Sequence, residues 1–528
     1  MRNRPLIFAA AGVLSALLLS LPWLVPHCGA AALVGFVPLL VAERLWEGKG
    51  FFLYYFGVFL LWNAFTTWWI WNATPGGAVF AIVANALQMA LVFGSYRLAK
   101  RRMGSVLPYF YLASAWIALE KFYLDAAQIS WPWLVLGNAV ADTTSLVQWY
   151  SVTGHLGGSA WVWATNLAVF GIMVALSDGR MTAWNAKARA AAFVGAAAAV
   201  FGPMAVSPLI RHHEAEDKID VVIGQPNLDP YMKFRSYTQE QQDRIFLDLV
   251  SPYVPEGRPS LVMAPETFTS SFMLHDPASN ASFGRYRLWL QEHPDANLLF
   301  GASAYNVDSR RRDILSFRHG NAWLTSRNSA IVTDTSGRCQ VFHKSKLVVG
   351  TELTPYPKLF LPLEKLLGGD LMGKCVGQDK VSCLRAEYPS GNVVFGCAVC
   401  YESVYGAYCT AYVREGARLM TVITNDAWWG NTPGYRQHFN YSRLRAIETD
   451  RWVVRCGNTG ISGIIGPDGK VLEKGPWWER AVITGKAGLL DGITPFVRYG
   501  DITGRAAVLL FFLLAAAALL RGRKTSNS

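Results

Sequence analysis

Cysteine is scarce in this chain. Eight residues scattered over 528 positions exclude a dense disulfide scaffold. Cys397 and Cys400 form a C-x-x-C, but it lies inside one apolar run, and no second pair or histidine motif follows. Structural zinc and thioredoxin-like chemistry therefore have no support. No basic helix and no RNA-binding signature occurs, so the formal charge of +12 does not point to nucleic acid. Much of the positive excess sits beside apolar runs, where Lys and Arg set topology and meet anionic lipid. Those runs carry few central charges, against a transport path. His343 and His438 lack a third ligand at helical spacing, so neither a metal nor another cofactor is expected.

What the chain has is apolar length. Residues 1–210 are rich in Leu, Ala, Phe and Trp, and a further apolar run, 505–521, precedes a basic tail at 522–528. A hydrocarbon core needs about 20 apolar residues per helix. Eight spans are expected, at 5–25, 30–45, 51–72, 77–98, 106–124, 157–177, 188–209 and 505–521. Arg2 and Arg4, Arg97 to Arg102, Arg180 to Arg189, and Arg521 to Lys524 then fall on one side, the cytoplasm by the positive-inside rule. The region between the seventh and eighth spans falls on the other.

That region, 218–500, has globular composition. Ile219–Gln225, Ser260–Ala264, Asn297–Gly301, Asn392–Tyr401, Ala417–Thr424, Trp452–Cys456 and Ser462–Gly466 are expected strands. Asn321–Thr333 and Gln340–Lys346 look like a hairpin, and Tyr237–Leu249 and Tyr435–Asp450 are expected helices. The alternation argues for α/β sheets covered by helices. Three polar residues end apolar strands: Glu266 after Ser260–Pro265, Lys344 after Cys339–His343, and Cys400 after Asn392–Val399. A thiol, a carboxylate and an amine at strand ends can meet in one crevice. Together they suit acyl transfer: Cys400 as nucleophile, Glu266 as base, Lys344 to hold an oxyanion. The ordinary alternatives are an inert buried cysteine, a helix-terminal acid and a solvated lysine.

Pro265-Glu266, His343-Lys344 with Glu352 downstream, and Cys400-Tyr401-Glu402 resemble the Glu, Lys and Cys motifs of the carbon–nitrogen hydrolase (nitrilase) superfamily. Asn425-Asp426-Ala427-Trp428-Trp429-Gly430, Arg445-Ala446-Ile447-Glu448 and Asn458-Thr459-Gly460-Ile461-Ser462 match later stretches of the same pattern. Several spans, a nitrilase-like domain and one final span together resemble the bacterial apolipoprotein N-acyltransferases. The resemblance implies a multi-span α-helical membrane domain plus an α/β nitrilase-like αββα sandwich on the periplasmic face of the inner membrane. It implies an acyl chain moved from a phospholipid, through a cysteine thioester, to the α-amine of a diacylglyceryl lipoprotein by a monomeric enzyme. It selects Lys344 over Lys346, adds the backbone N–H of Tyr401 as oxyanion donor, and marks Glu352 and Glu402 as supports of Lys344 and the amine site. An ordinary salt bridge is the competing reading for either acid. Phe234 and Trp428 are further candidate substrate contacts.

The chain departs from the pattern at Val349-Gly350-Thr351 before Glu352, at Phe234 where tryptophan is common, and in the long Leu361–Arg385 segment. There Cys375 and Cys383 are able to pair if the segment faces an oxidising space. Phe268–Leu274, Leu359–Met372, Trp428-Trp429 and Trp477-Trp478 are expected to dip into lipid and gate the site; a small local core is the alternative. Competing functions are a membrane-tethered amidase or nitrilase and a receptor or transporter that only binds ligand.

Overall fold

The computed structural model describes residues 4–46, 50–232, 236–369 and 371–526. The chain divides into two compact units, residues 1–211 with 499–528 and residues 212–498.

The first unit is helical. Among the described residues five helices are long and apolar enough to cross a membrane: Pro5–Leu24, Pro75–Lys100, His155–Ser177, Ala186–Leu209 and Ile502–Arg521. Phe51–Thr67 and Leu107–Asp125 are shorter or carry more charge. The segment expected as one helix at 30–45 is broken instead. A 3₁₀ turn, Gly29–Leu33, precedes a nine-residue α-helix, Val37–Leu45. Asn166 repairs the break: its Oδ1 accepts from Phe36 N at 2.8 Å and its Nδ2 donates to Ala32 O at 2.8 Å. Irregular backbone away from water persists only where such partners exist. The 3₁₀ turns between residues 132 and 146 follow the same rule. Glu120 accepts from Leu136 N at 2.8 Å, and Ser159 accepts from Gly137 N at 3.0 Å. Gly137 is required there, since a Cβ would stand 1.8 Å from His155 O. Stacked aromatics such as Phe36 on Trp163, 4.4 Å between centroids, fill the interior.

Among the described residues the second unit holds fourteen strands: β1 (Asp217–Gln225), β2 (Ser260–Met263), β3 (Thr269–Met273), β4 (Ala296–Asp308), β5 (Phe317–His319), β6 (Ala322–Thr333), β7 (Cys339–His343), β8 (Leu384–Ala386), β9 (Val393–Val399), β10 (Leu419–Thr424), β11 (Val453–Gly457), β12 (Gly463–Ile465), β13 (Val471–Lys474) and β14 (Ala481–Leu489). One sheet runs β14-β1-β2-β4-β6-β5, with β3 on β4 and β7 on β6; the other runs β13-β12-β11-β10-β9-β8. In each, the central strands are parallel and the outer ones antiparallel. Parallel strands buried on both faces read as continuous apolar runs, which is why β2, β9 and β10 stand out in the sequence. Ile223, Met263 and Leu299 of one sheet share a core with Phe395, Val399 and Ile423 of the other. Val262 and Phe300, on the opposite face of the first sheet, pack with Phe246, Tyr286 and Leu290 of helices Gln239–Val250 and Ala281–Glu292. Helix, sheet, sheet and helix are thus layered as an α/β sandwich.

One expectation for this unit changes. Phe268–Leu274 is not a lipid-dipping loop: it contains β3, paired with β4, and Phe268 and Phe272 are buried in the sheet–helix core. The strand was obscured because its inward residues follow an irregular register. Cys375 and Cys383 are free thiols with separate partners, Ser326 Oγ and Tyr412 O.

Candidate active site

Each strand-end residue is delivered by a local constraint. Glu266 sits on a turn after β2 that presses on β4. A Cβ at Gly301 would lie 2.6 Å from Glu266 Cα, Pro265 O and Thr267 N, so only glycine permits the approach. Lys344 follows β7, and its backbone N–H donates to Asn328 O at 2.8 Å. Cys400 follows β9 with φ of +53°, a left-handed conformation unusual for a side-chain-bearing residue. A 3₁₀ turn, Cys400–Val404, begins there.

The charged groups converge. Lys344 Nζ lies 3.0 Å from Glu266 Oε1 and 3.0 Å from Glu352. Asn328 Nδ2 donates to Glu266 Oε1 at 2.8 Å and to Glu352 Oε1 at 2.7 Å. Glu352 Oε2 also accepts from Val348 N at 2.8 Å. Burial alone would lower the Lys344 pKa, but Glu266 and Glu352 outweigh it and hold the ammonium well above its ordinary value. Lys346 is elsewhere: its Nζ stands over the rings of Tyr405, at 5.1 Å, and Tyr408.

Cys400 is 9% exposed. Burial, then the charge of Glu266, pushes its thiol well above the ordinary cysteine value, and Lys344 and Thr424 pull back only part of that. The resting group is therefore a thiol and not a preformed thiolate. Cys397 is fully buried between the sheets, and burial raises its thiol to about 12, which leaves it inert. Glu402 ties the cysteine turn to the lysine loop: it accepts from Val399 N at 2.8 Å, Ser345 N at 2.7 Å, Lys346 N at 3.1 Å and Tyr408 Oη at 2.8 Å. Burial lifts its carboxyl to about 7 against those bonds.

On the other side of Cys400 lies a closed polar cluster. His438 Nε2 is 3.0 Å from Cys400 O and 2.9 Å from Ser403 Oγ, while its Nδ1 is 2.8 Å from Asp426 Oδ1. Arg455 donates to Asp426 Oδ2 at 2.6 Å. Burial would raise Asp426, but His438 and Arg455 outweigh it and hold the carboxyl at about 2. Cys400, Asp426 and His438 bring potential metal-ligating atoms within 4.8 Å of one another. Arg455, which also lies 2.9 Å from His438 Nδ1, already occupies the place a cation would need, so the cluster is assigned no metal.

A family model for the apolipoprotein N-acyltransferase N-terminal domain matches residues 15–168, and one for carbon-nitrogen hydrolases matches 302–489. A curated apolipoprotein N-acyltransferase of Chlorobaculum tepidum is 26% identical over 530 residues, covering 97% of this chain and 96% of that protein. One of Geobacter metallireducens is 28% identical over 524 residues, covering 96% and 95%. The chain belongs to the apolipoprotein N-acyltransferases. It is also similar to a solved CN-hydrolase superfamily protein of Xanthomonas campestris, with a TM-score of 0.36, 16% identity, and coverage of 52% of this chain and 91% of that one.

Within this family frame the remaining candidates are scattered. Tyr401 packs its ring on Tyr405 at 5.3 Å. Trp428, two residues past Asp426, is partly exposed and meets Tyr231 edge-on at 5.2 Å. Phe234 lies outside the described residues. Asn328 and Arg455 were not singled out from the sequence. Asn328 was reachable by counting: the β6–β7 pairing of Ser329 with His343 puts Asn328 opposite Lys344. Arg455, a cation inside an apolar strand, was itself a signal, since arginine is rarely fully buried unless paired.

Proposed function

We propose that this enzyme transfers an acyl chain from a membrane phospholipid to the α-amine of an S-diacylglyceryl-cysteine lipoprotein, through a thioester on Cys400. The observation that carries the reading is the convergence of Glu266 and Lys344, after the ends of β2 and β7, with Glu352 of the following loop, together with a thiol whose electrostatics couple it to Glu266 and Lys344. Because the thiol is protonated at rest, its deprotonation accompanies attack. Cys400 Sγ adds to the ester carbonyl as Glu266 takes the proton. Lys344 faces the oxyanion, with the backbone N–H of Tyr401. Collapse breaks the carbon–oxygen bond, and the departing lysophospholipid takes the proton from Glu266. The lipoprotein amine then attacks the thioester, Glu266 takes the amine proton, and the thiolate leaves and is reprotonated.

The five long apolar helices and the family membership are those of an inner-membrane protein. The basic clusters support a periplasmic catalytic unit, since they then all face the cytoplasm. Helix Pro357–Leu366, with Leu359 67% and Leu366 81% exposed, is the apolar surface we assign to lipid contact. The chain is read as a monomer that needs no cofactor. The deciding experiment supplies phospholipid alone. Release of lysophospholipid equal to the enzyme, followed by a stall, and an acyl adduct on Cys400 by mass spectrometry support the reading. Continuous release without acceptor makes the protein a hydrolase.

A further inference from the structure

Asn328 bridges the two carboxylates that Lys344 also bridges. It lies opposite Lys344 across the β6–β7 pairing and is 5% exposed. Its Nδ2 has two hydrogens, and both are used, one on Glu266 Oε1 and one on Glu352 Oε1. The amide orientation is set by chemistry, because its oxygen turned toward two carboxylates would be repelled. The choice has a cost: Oδ1 is buried with no hydrogen-bond partner among the described residues, which is destabilising. The side chain is therefore held by what its nitrogen does.

The consequence falls on Glu266. Lys344 and Asn328 both bind the same oxygen, Oε1. No hydrogen bond to Oε2 occurs among the described residues. We propose that Asn328 is a positioning residue for the general base: it fixes the rotation of the Glu266 carboxylate so that Oε2 alone is presented to Cys400. This inference rests on the proposed roles of Glu266 and Cys400.

The test uses the full-length Asn328→Ala and Asn328→Asp proteins. Two rates are followed: single-turnover lysophospholipid release from phospholipid vesicles, and alkylation of Cys400 by iodoacetamide, read by mass spectrometry at that residue. For Asn328→Ala the expected result is a loss of about 10- to 100-fold in both rates, the scale of impaired general-base catalysis, with the phospholipid KM unchanged. Asn328→Asp, which keeps the size but donates neither hydrogen, should lose as much. A loss that follows thermal stability alone, or one that appears as a raised KM with the single-turnover rate kept, overturns the inference and leaves Asn328 a structural residue. Adding Asn328→Ala to Glu266→Gln should bring no further loss; if the two losses multiply, Asn328 acts apart from Glu266 and the inference falls. Slowed alkylation in a protein that never releases lysophospholipid sustains the role of Asn328 and removes the acyl-transfer reading instead.

Discussion

The two ionic clusters flanking Cys400 are built on opposite terms. On the Lys344 side, two carboxylates share one ammonium and one amide, and Glu266 keeps an oxygen without a hydrogen-bond partner among the described residues. On the His438 side, Asp426 has a donor on each oxygen, from Thr424 and His438 on one and Arg455 on the other, and the cluster is sealed from solvent. An incompletely matched carboxylate can exchange a proton; a fully matched one cannot do so without losing its partners. The first cluster is therefore read as chemistry and the second as scaffold, holding the Cys400 carbonyl through His438 and with it the left-handed turn that aims the thiol.

Substitutions can break that distinction, and Cys400→Ala sits between the clusters and has the largest effect. It should eliminate both acyl-enzyme and product, read by mass spectrometry and by lipoprotein acylation, because no other group among the described residues is placed to carry the thioester. Cys397→Ala should stay active, and the reverse pattern would mean the wrong thiol has been assigned. On the chemical side, Glu266→Gln and Lys344→Met should each lower acyl-enzyme formation by about 10²-fold or more. Their stabilities should differ. Glu266→Gln leaves Lys344 paired with Glu352, whereas Lys344→Met leaves the buried Glu266 and the half-buried Glu352 without a cation and should melt earlier.

The scaffold side should fail in the opposite order, through stability before rate. Asp426→Asn leaves Arg455 buried without its carboxylate, a change costing about 3–5 kcal/mol for a broken buried pair, visible in a denaturation midpoint. If that protein is as stable as the parent but catalytically dead, Asp426 belongs to the chemistry and the comparison collapses. Acid offers a subtler probe. The folded pKa of Asp426 is depressed from its ordinary 3.8 to about 2, so its contribution is complete above pH 4 and is lost as pH falls toward 2. It amounts to roughly 2 kcal/mol, and Asp426→Asn should flatten that part of the stability–pH curve. The smallest effect is expected from Lys346→Met, which removes a contact with Tyr405 and Tyr408 of about 0.5–1 kcal/mol. Acyl-enzyme formation should change less than a few-fold, and a loss matching Lys344→Met would show that the two lysines share the role.

Much of this was legible in the sequence for reasons that can be named. The strands carrying Glu266 and Cys400 are buried on both faces, so they appear as unbroken apolar runs ending in a polar residue, and the membrane helices appear by length alone. The terminal strand β14 was not foreseen: its solvent-facing residues, such as Thr484 and Lys486, dilute the run, and only pairing with β1 makes it a strand. The apolar stretch around Phe272 was visible but its destination was not, since lipid and a protein core accept the same side chains.

The amino-acid sequence by itself determined the class of chemistry, the division into apolar and globular stretches, and which thiol, acid and amine end strands, because each is written in the local spacing of apolar and polar residues. Only the tertiary structure decided how those groups are held. Asn328 meets Glu266 across 62 residues through strand register, Asn166 mends a helix break 130 residues away, and Arg455 finds Asp426 by crossing from one parallel strand to the next. Such pairings depend on which buried groups must share donors once water is excluded, a condition set by the packed core and not by any local run of residues.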